Sequence, residues 1–309
     1  MTEITAKMVS ELREKTGAPM GECKKALVET KGNIDEAVDW LRKKGIATAQ
    51  KKSGRAAADG LVGVATSGNV GALVEVNAET DFVARNEQFQ NMVRNITAVA
   101  ITKNGILADI NAATCPGTSR TVADEVTHQI ATVGENMTFR RSAALSANDG
   151  IVCSYMHGAI APQLGKIGVL VALESKGDKA KLESVGKQIA MHIAAANPVA
   201  LSSDKVDPAL VAREKAVFSE QAAASGKPAD IIGKMVEGRL RKYYEEVCLL
   251  EQIFVIDNET KISQVLANAA KDIGAPVTIS GYLRFALGEG VEKEVKDFAA
   301  EVAAMAKTA

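Results

Sequence analysis

Residues 79–86, with the sequence ETDFVARN, place a carboxylate beside an aromatic ring in a segment that could act on a partner molecule. The segment follows an apolar run typical of a strand and precedes an amphipathic helix, which predicts a connector. Thr80 suits the cap of a short turn, and Asp81 suits the positive end of a helix dipole. Phe82 and Val83 either staple the connector to the core or present an apolar surface next to the Asp81 charge.

Sequence signatures of catalytic and nucleotide-binding sites are missing. The chain has no G-x-x-x-x-G-K-[ST] phosphate-binding loop, no G-x-G-x-x-G after a strand and no G-x-S-x-G nucleophile motif. Its three histidines, His128, His157 and His192, are far apart, without H-E-x-x-H or an acidic metal cluster. We therefore expect no enzyme activity, catalytic residue, metal, cofactor or direct nucleotide binding. A triad assembled from distant residues is the alternative.

The composition argues against several classes of protein. The 309 residues include 37 Lys and Arg against 38 Asp and Glu, a net charge of -1. Proteins that mainly grip nucleic acid or an anionic membrane need a surplus of basic residues, so neither partner is expected. The four cysteines lack C-x-x-C spacing, which favours buried free thiols. No signal peptide and no membrane-spanning run is recognisable, so a cytoplasmic location is expected.

The two ends of the chain are predicted to be helical. Residues 1–45 contain three short amphipathic segments and predict a compact three-helix module that closes at Gly45. Residues 46–59 are polar and rich in Ala, which predicts a linker, either irregular throughout or helical in part. Residues 290–309 predict a final amphipathic helix.

A pattern of two strands, two helices and a third strand occurs twice between these ends. The first copy covers residues 60–148 and the second covers residues 149–289. The second copy contains an insert at about residues 207–247 with two amphipathic helical segments, broken by Gly and Pro at residues 225–228, which predicts an antiparallel hairpin. The duplication predicts an α+β fold in two similar halves, each a sheet covered by helices.

Stretches along nearly the whole chain resemble the elongation factor Ts family, and they occur in the family's order. They are LREKTGAPMGECKKALVETKGNIDEAVDWLRKKG, GALVEVN followed by TDFVARN, YMHG followed by GVLVAL, IAMHIAAANP, SGKPADIIGKMVEGRLRKYYEEVCLLEQIF and VEKEVKDFAAEVAAMAK. The resemblance implies a guanine-nucleotide exchange factor for elongation factor Tu in translation elongation. Such a factor binds the GTPase, displaces Mg²⁺ and promotes GDP release so that GTP can rebind.

The resemblance also implies where the N-terminal module binds. Residues 1–45 are similar to a ubiquitin-associated module, which in this family docks on the GTPase domain of elongation factor Tu. The matching contact positions are Arg13, Met20 and Lys24. The chain reads APMGEC where the family commonly reads AGMMDC, so Gly21 replaces an apolar contact.

Other roles implied by the resemblance fall on the rest of the chain. Residues 80–83 match the family segment that dislodges Mg²⁺ from the partner. His157, in YMHG, matches a histidine that contacts the third domain of the partner. The resemblance implies that the helical hairpin associates with the partner or forms a homodimer. It also implies that the C-terminal helix packs against the GTPase domain.

Two further functions are compatible with the residues alone. Residues 1–45 and the hairpin could form a ubiquitin-associated-type adaptor or chaperone-like scaffold. Lys51, Lys52 and Arg55 could contact RNA, although near-zero net charge and an aromatic content of 4% count against that.

Overall fold

The computed structural model describes residues 4–224 and 228–291. Nearly all of the helix predicted at residues 290–309, and most of the break predicted at residues 225–228, lie outside the described residues. Among the helices that the structure describes, none is long and apolar enough to cross a membrane.

Three helices form the N-terminal module: α1 (Ala6–Thr16), α2 (Met20–Glu29) and α3 (Ile34–Lys52). The Thr5 side chain caps α1, and the Asn33 side chain caps α3 by accepting two backbone N–H bonds. The apolar faces of the helices meet in a small core of six buried side chains, namely Val9, Leu12, Cys23, Ala26, Leu27 and Ala37.

The first half of the core is an antiparallel sheet covered by helices. Its elements are β1 (Asp59–Ser67), β2 (Val70–Ala78), α4 (Glu87–Thr102), α5 (Leu107–Ala112), α6 (Val122–Val133) and β3 (Met137–Ser146). β2 lies between β1 and β3. The short helix α5 was not predicted from the sequence.

The second half repeats this arrangement. Its elements are β4 (Gly150–His157), β5 (Leu164–Gly165), β6 (Ile167–Glu174), α7 (Lys179–Ala196), α8 (Pro208–Ala223), α9 (Ala229–Val247), α10 (Ile262–Ile273) and β7 (Thr278–Ala286). β6 lies between β4 and β7. The short strand β5 instead pairs with β1, so it adds a strand of the second half to the first sheet.

Equivalent details confirm the predicted duplication. Each central strand has a break in register between its sixth and seventh residues, at Glu75 and Val76 in β2 and at Ala172 and Leu173 in β6. α6 and α10 each end at a glycine in the left-handed region. A buried cluster with members from both sheets, including Leu73 of β2 and Leu170 of β6, joins the two halves. The α+β fold with two similar halves is therefore confirmed.

The predicted end of the third helix at Gly45 is wrong, because α3 continues to Lys52. Gly45 is buried, and a Cβ atom there would lie 3.3 Å from the Cβ of Ala131 in α6. The missing side chain lets α3 approach α6 closely, and Ala49 packs against the first-half core. This packing outweighs the cost of about 1 kcal/mol for a glycine within a helix. The first part of the predicted linker, residues 46–52, is thus helical.

The insert forms the predicted helical pair, since α8 packs along α9. Asp207 caps α8, and Pro208 occupies its first turn. At the base, Tyr243 and Tyr244 pack against a small buried cluster that includes Cys248. Leu210 and Val217 on α8 and Ile231 on α9 are each about two-fifths exposed, which leaves apolar surface on the pair.

Candidate functional site

The connector between β2 and α4 separates its two apolar residues. Phe82 is 75% exposed, whereas Val83 and Ala84 are buried in the first-half core. Asp81 is exposed beside the ring. Val83 thus attaches the connector to the core, which agrees with the first interpretation. Phe82 presents its ring to solvent, which agrees with the second.

The connector leaves Phe82 on a well-supported turn. Residues Val83–Arg85 form a single 3-10 turn. Directly after it, the Asn86 side chain accepts hydrogen bonds from the backbone N–H groups of Gln88 (2.9 Å) and Phe89 (3.2 Å), which begins α4. Gln90 Nε2 donates to the carbonyl of Ala84 over 2.9 Å. These bonds fix the backbone on the C-terminal side of the exposed ring.

The prediction that Thr80 caps a short turn is wrong. Phe82 occupies the cap position of the 3-10 turn, and no side chain caps it. Thr80 Oγ1 instead donates to Glu135 Oε1 over 2.8 Å, and Thr80 N–H donates to Glu135 Oε2 over 3.0 Å. A carboxylate is a stronger acceptor than a neutral group, so this long-range contact determines the orientation of Thr80.

The three positions expected in the N-terminal module are all accessible. Arg13 on α1 and Lys24 on α2 are exposed, and Met20 at the start of α2 is 52% exposed. Val28, four residues after Lys24, is 56% exposed and extends the same stripe of α2. Val28 was missed in the sequence, although its spacing from Met20 and Lys24 is the signal that could have found it.

Gly21 lies on the same helix as Met20 and Lys24. Apart from its chain neighbours and the backbone of its own helix, no atom lies within 4 Å of where a Cβ atom of residue 21 would be. The position can therefore accept a side chain, and its glycine leaves open space within the stripe.

His157 lies in the second half, at the end of β4, and is exposed. Its Nδ1 atom is 3.4 Å from the hydroxyl of Tyr155 on the same strand. The structure therefore places the expected residues on three separate elements: the N-terminal helices, the connector after β2, and the end of β4. Residues 80–83 lie together because they are consecutive in the chain.

Side chains able to hold a metal do not cluster within residues 4–224 and 228–291. No cluster of three or more His, Cys, Asp or Glu side chains suited to a metal is found there. Burial raises the pKa of the Cys115 and Cys153 thiols to about 11, so both are protonated near neutral pH. His192 is fully buried; its Nε2 lies 2.9 Å from Gln252 Oε1, and the Val255 N–H points at its Nδ1.

Comparisons with known proteins identify the family. A family model described as Elongation factor TS matches residues 79–289. Elongation factor Ts of Paramagnetospirillum magneticum is 64% identical over 308 residues, which is 100% of this chain and 99% of that protein. Elongation factor Ts of Rhodospirillum centenum is 63% identical over 306 residues, covering 99% of this chain and 100% of the other. The chain belongs to the elongation factor Ts family.

Proposed function

We propose that this protein is the guanine-nucleotide exchange factor of elongation factor Tu in translation elongation, that it binds this GTPase in the cytoplasm, and that it catalyses no chemical reaction itself. Family membership supports the general role. We further propose that the connector after β2 promotes the loss of Mg²⁺ and GDP from the GTPase.

The observation that carries the finer proposal is the exposed ring of Phe82. A ring that is 75% exposed on a fixed turn, next to a carboxylate, is poised to insert into a partner. Complete burial of such a ring stabilises a complex by roughly 1.5–3 kcal/mol. The turn is already ordered by Asn86 and Gln90, so little conformational entropy has to be lost on insertion.

Exchange follows from linkage between the two ligands of the GTPase. A GTPase holds GDP through backbone N–H groups of its phosphate-binding loop and through Mg²⁺ on the β-phosphate. A protein that binds the empty GTPase better than the loaded one weakens GDP binding by the same factor. In our proposal Phe82 enters an apolar gap of the partner, and Asp81 rearranges polar contacts near the metal. Mg²⁺ then leaves, and the unscreened phosphate charges favour GDP release.

One ring is not enough for a large effect, because each tenfold change requires about 1.4 kcal/mol. We therefore assign binding to the two other surfaces. Arg13, Met20 and Lys24 anchor the N-terminal module on the GTPase domain, and His157 anchors the second half on another domain of the partner. These contacts hold the connector against the site where Phe82 inserts.

The hairpin of α8 and α9 receives a separate role. Its partly exposed apolar residues fit a contact with the partner or with a second copy of the chain. The near-neutral charge supports the expectation that neither nucleic acid nor a membrane is the main partner. No cofactor, metal or directly bound nucleotide is part of the proposed mechanism.

The test is release of a fluorescent GDP analogue from elongation factor Tu. The expected result is that catalytic amounts of this protein accelerate release in the presence of excess unlabelled GDP. Equal affinity for the GDP-loaded and empty GTPase would refute the proposal, because such a protein could not shift the equilibrium between these two forms. Binding without any effect on release would instead favour the adaptor.

A further inference from the structure

The turn between α6 and β3 lies against the base of the Phe82 connector. Gly134 ends α6 with φ of 87°, in the left-handed region that glycine adopts readily. The next two residues, Glu135 and Asn136, begin the approach to β3. Asn136 is buried and Glu135 is partly buried.

Glu79, Thr80, Glu135 and Asn136 form a reciprocal hydrogen-bonded contact that we call the clasp. The Glu135 carboxylate accepts from both the N–H and the hydroxyl of Thr80, over 3.0 and 2.8 Å. In return, Glu79 Oε1 accepts from the N–H of Asn136 over 2.6 Å. Each segment thus donates a backbone N–H to a carboxylate of the other. All of these bonds are charge-assisted, which makes the clasp a strong local restraint.

The clasp also reaches the segment that follows α3. Asn136 Nδ2 donates to the carbonyl of Arg55 over 2.7 Å, and the Arg55 guanidinium lies 3.4 Å from Glu79 Oε1. The Lys52 ammonium donates to the carbonyl of Gly134. The end of the N-terminal module and the base of the Phe82 connector are therefore attached to the same turn.

The duplicated second half provides an internal comparison. Its equivalent connector, between β6 and α7, is residues 175–178, half as long as residues 79–86. Ala275 and Pro276, which follow Gly274, take the positions of Glu135 and Asn136. Gly177 packs against this segment: a Cβ atom added at Gly177 would lie 3.2 Å from the Cβ of Ala275. Ala275 and Pro276 have neither a carboxylate nor a side-chain amide, so they cannot form a clasp. The second half thus lacks this contact at a connector that has no exposed ring to present.

We infer that Glu135 is a positioning residue for nucleotide exchange, which holds Phe82 in register with the N-terminal module. The inference rests on the proposed function, in which Phe82 inserts while the module is docked. Without the two bonds from Thr80, the connector samples other conformations, and only a fraction of bound complexes present the ring correctly. The binding contacts of the module and of His157 are unchanged by this loss.

The experiment measures the rate of fluorescent GDP release from elongation factor Tu against the concentration of each variant. Glu135→Ala is expected to lower the maximal rate about tenfold, the equivalent of one charge-assisted hydrogen bond. The half-saturating concentration should stay near the wild-type value. Glu135→Gln should recover most of the rate, since its amide oxygen can accept from Thr80 N–H while its NH₂ group donates to the Thr80 hydroxyl. Glu259→Ala, at an exposed glutamate of the second half, is the matched control.

A purely structural role predicts a different pattern. Loss of folded protein reduces the active concentration, which raises the apparent half-saturating concentration and leaves the maximal rate unchanged. That pattern, or a wild-type maximal rate for Glu135→Ala, would overturn the inference. In the Phe82→Ala background, Glu135→Ala should have no further effect, whereas additive effects would mean that Glu135 acts independently of the ring. Failure of the wild-type protein to release GDP would instead refute the proposed function itself.

Discussion

Replacement of Phe82 by alanine tests the central idea, because it removes the exposed ring and little else. The ring is 75% exposed, so about three quarters of its surface is available for burial in a partner. Full burial of a phenylalanine contributes roughly 1.5–3 kcal/mol, and three quarters of this is roughly 1–2 kcal/mol. At about 1.4 kcal/mol per tenfold change, GDP release should slow by about 5- to 30-fold.

The same change should leave the folded protein almost unaltered. An exposed side chain outside the core contributes within about 0.5 kcal/mol to the free energy of unfolding, so urea denaturation of Phe82→Ala should match the wild type. Val83→Ala provides the opposite case, since Val83 is buried and its truncation should destabilise the fold while the ring remains. Val199→Ala, at a valine that is 58% exposed in the second half, is the surface control.

Stopped-flow fluorescence with labelled GDP on elongation factor Tu gives the rate for each variant. GDP release should be slow with Phe82→Ala and as fast as the wild type with Val199→Ala. If Phe82→Ala releases GDP as fast as the wild type while remaining folded, insertion of the ring cannot be the step that drives exchange. A loss of rate accompanied by unfolding would assign the effect to stability.

The remaining predictions concern binding and stability. Met20→Ala should raise the half-saturating concentration in the release assay several-fold, because an apolar contact of the module is lost. Gly21→Ala should fold normally and raise the free energy of unfolding by up to about 1 kcal/mol in urea titrations, since alanine favours helix and the site is open. Glu75→Ala should cost about 3 kcal/mol in the same titrations, because Glu75 is fully buried and pairs with two arginines. Stability should fall as the pH drops below about 6.5, and His192→Gln should reduce that fall.

The sign of the pH effect comes from burial. Burial lowers the pKa of His192, and its hydrogen bond with Gln252 only partly offsets this. The unfolded chain therefore takes up a proton at a higher pH than the folded protein, and folding becomes less favourable as the pH falls from about 6.5 toward the folded pKa. Urea titrations at pH 7.5 and 5.5 measure this change in the free energy of unfolding. If the change is as large in His192→Gln as in the wild type, His192 is not its source.

Glu75 acts in a lower pH range. Burial raises the pKa of its carboxyl, but hydrogen bonds from Gly288 N–H, Asn77 and Arg141 outweigh burial and lower the pKa overall. Its contribution to the free energy of unfolding is complete above about pH 4.5 and is lost as the pH falls through the pKa of the folded state. An unchanged free energy of unfolding for Glu75→Ala at pH 7 would show that the two arginines find other partners.

Local patterns in the sequence were sufficient for most of the fold. Apolar periodicity located the N-terminal helices, α4, α6, α7, α10 and the hairpin, and alternating runs located the strands. These patterns work because each element must bury one face, whichever partner supplies the other side. The same patterns placed residues 80–83 on a connector and Arg13, Met20 and Lys24 on helices.

Contacts between distant parts of the chain decided the rest. The length of α3 depends on Gly45 meeting Ala131, and the orientation of Thr80 depends on Glu135, more than fifty residues away. The strand β5 exists because β1 offers it an edge. Phe82 and Val83 are adjacent apolar residues, and only the tertiary structure decides which of them enters the first-half core. Val83 lies in that core, so Phe82 faces solvent. Local sequence specifies what each segment can form, but burial and hydrogen bonding in three dimensions select the alternative that is adopted.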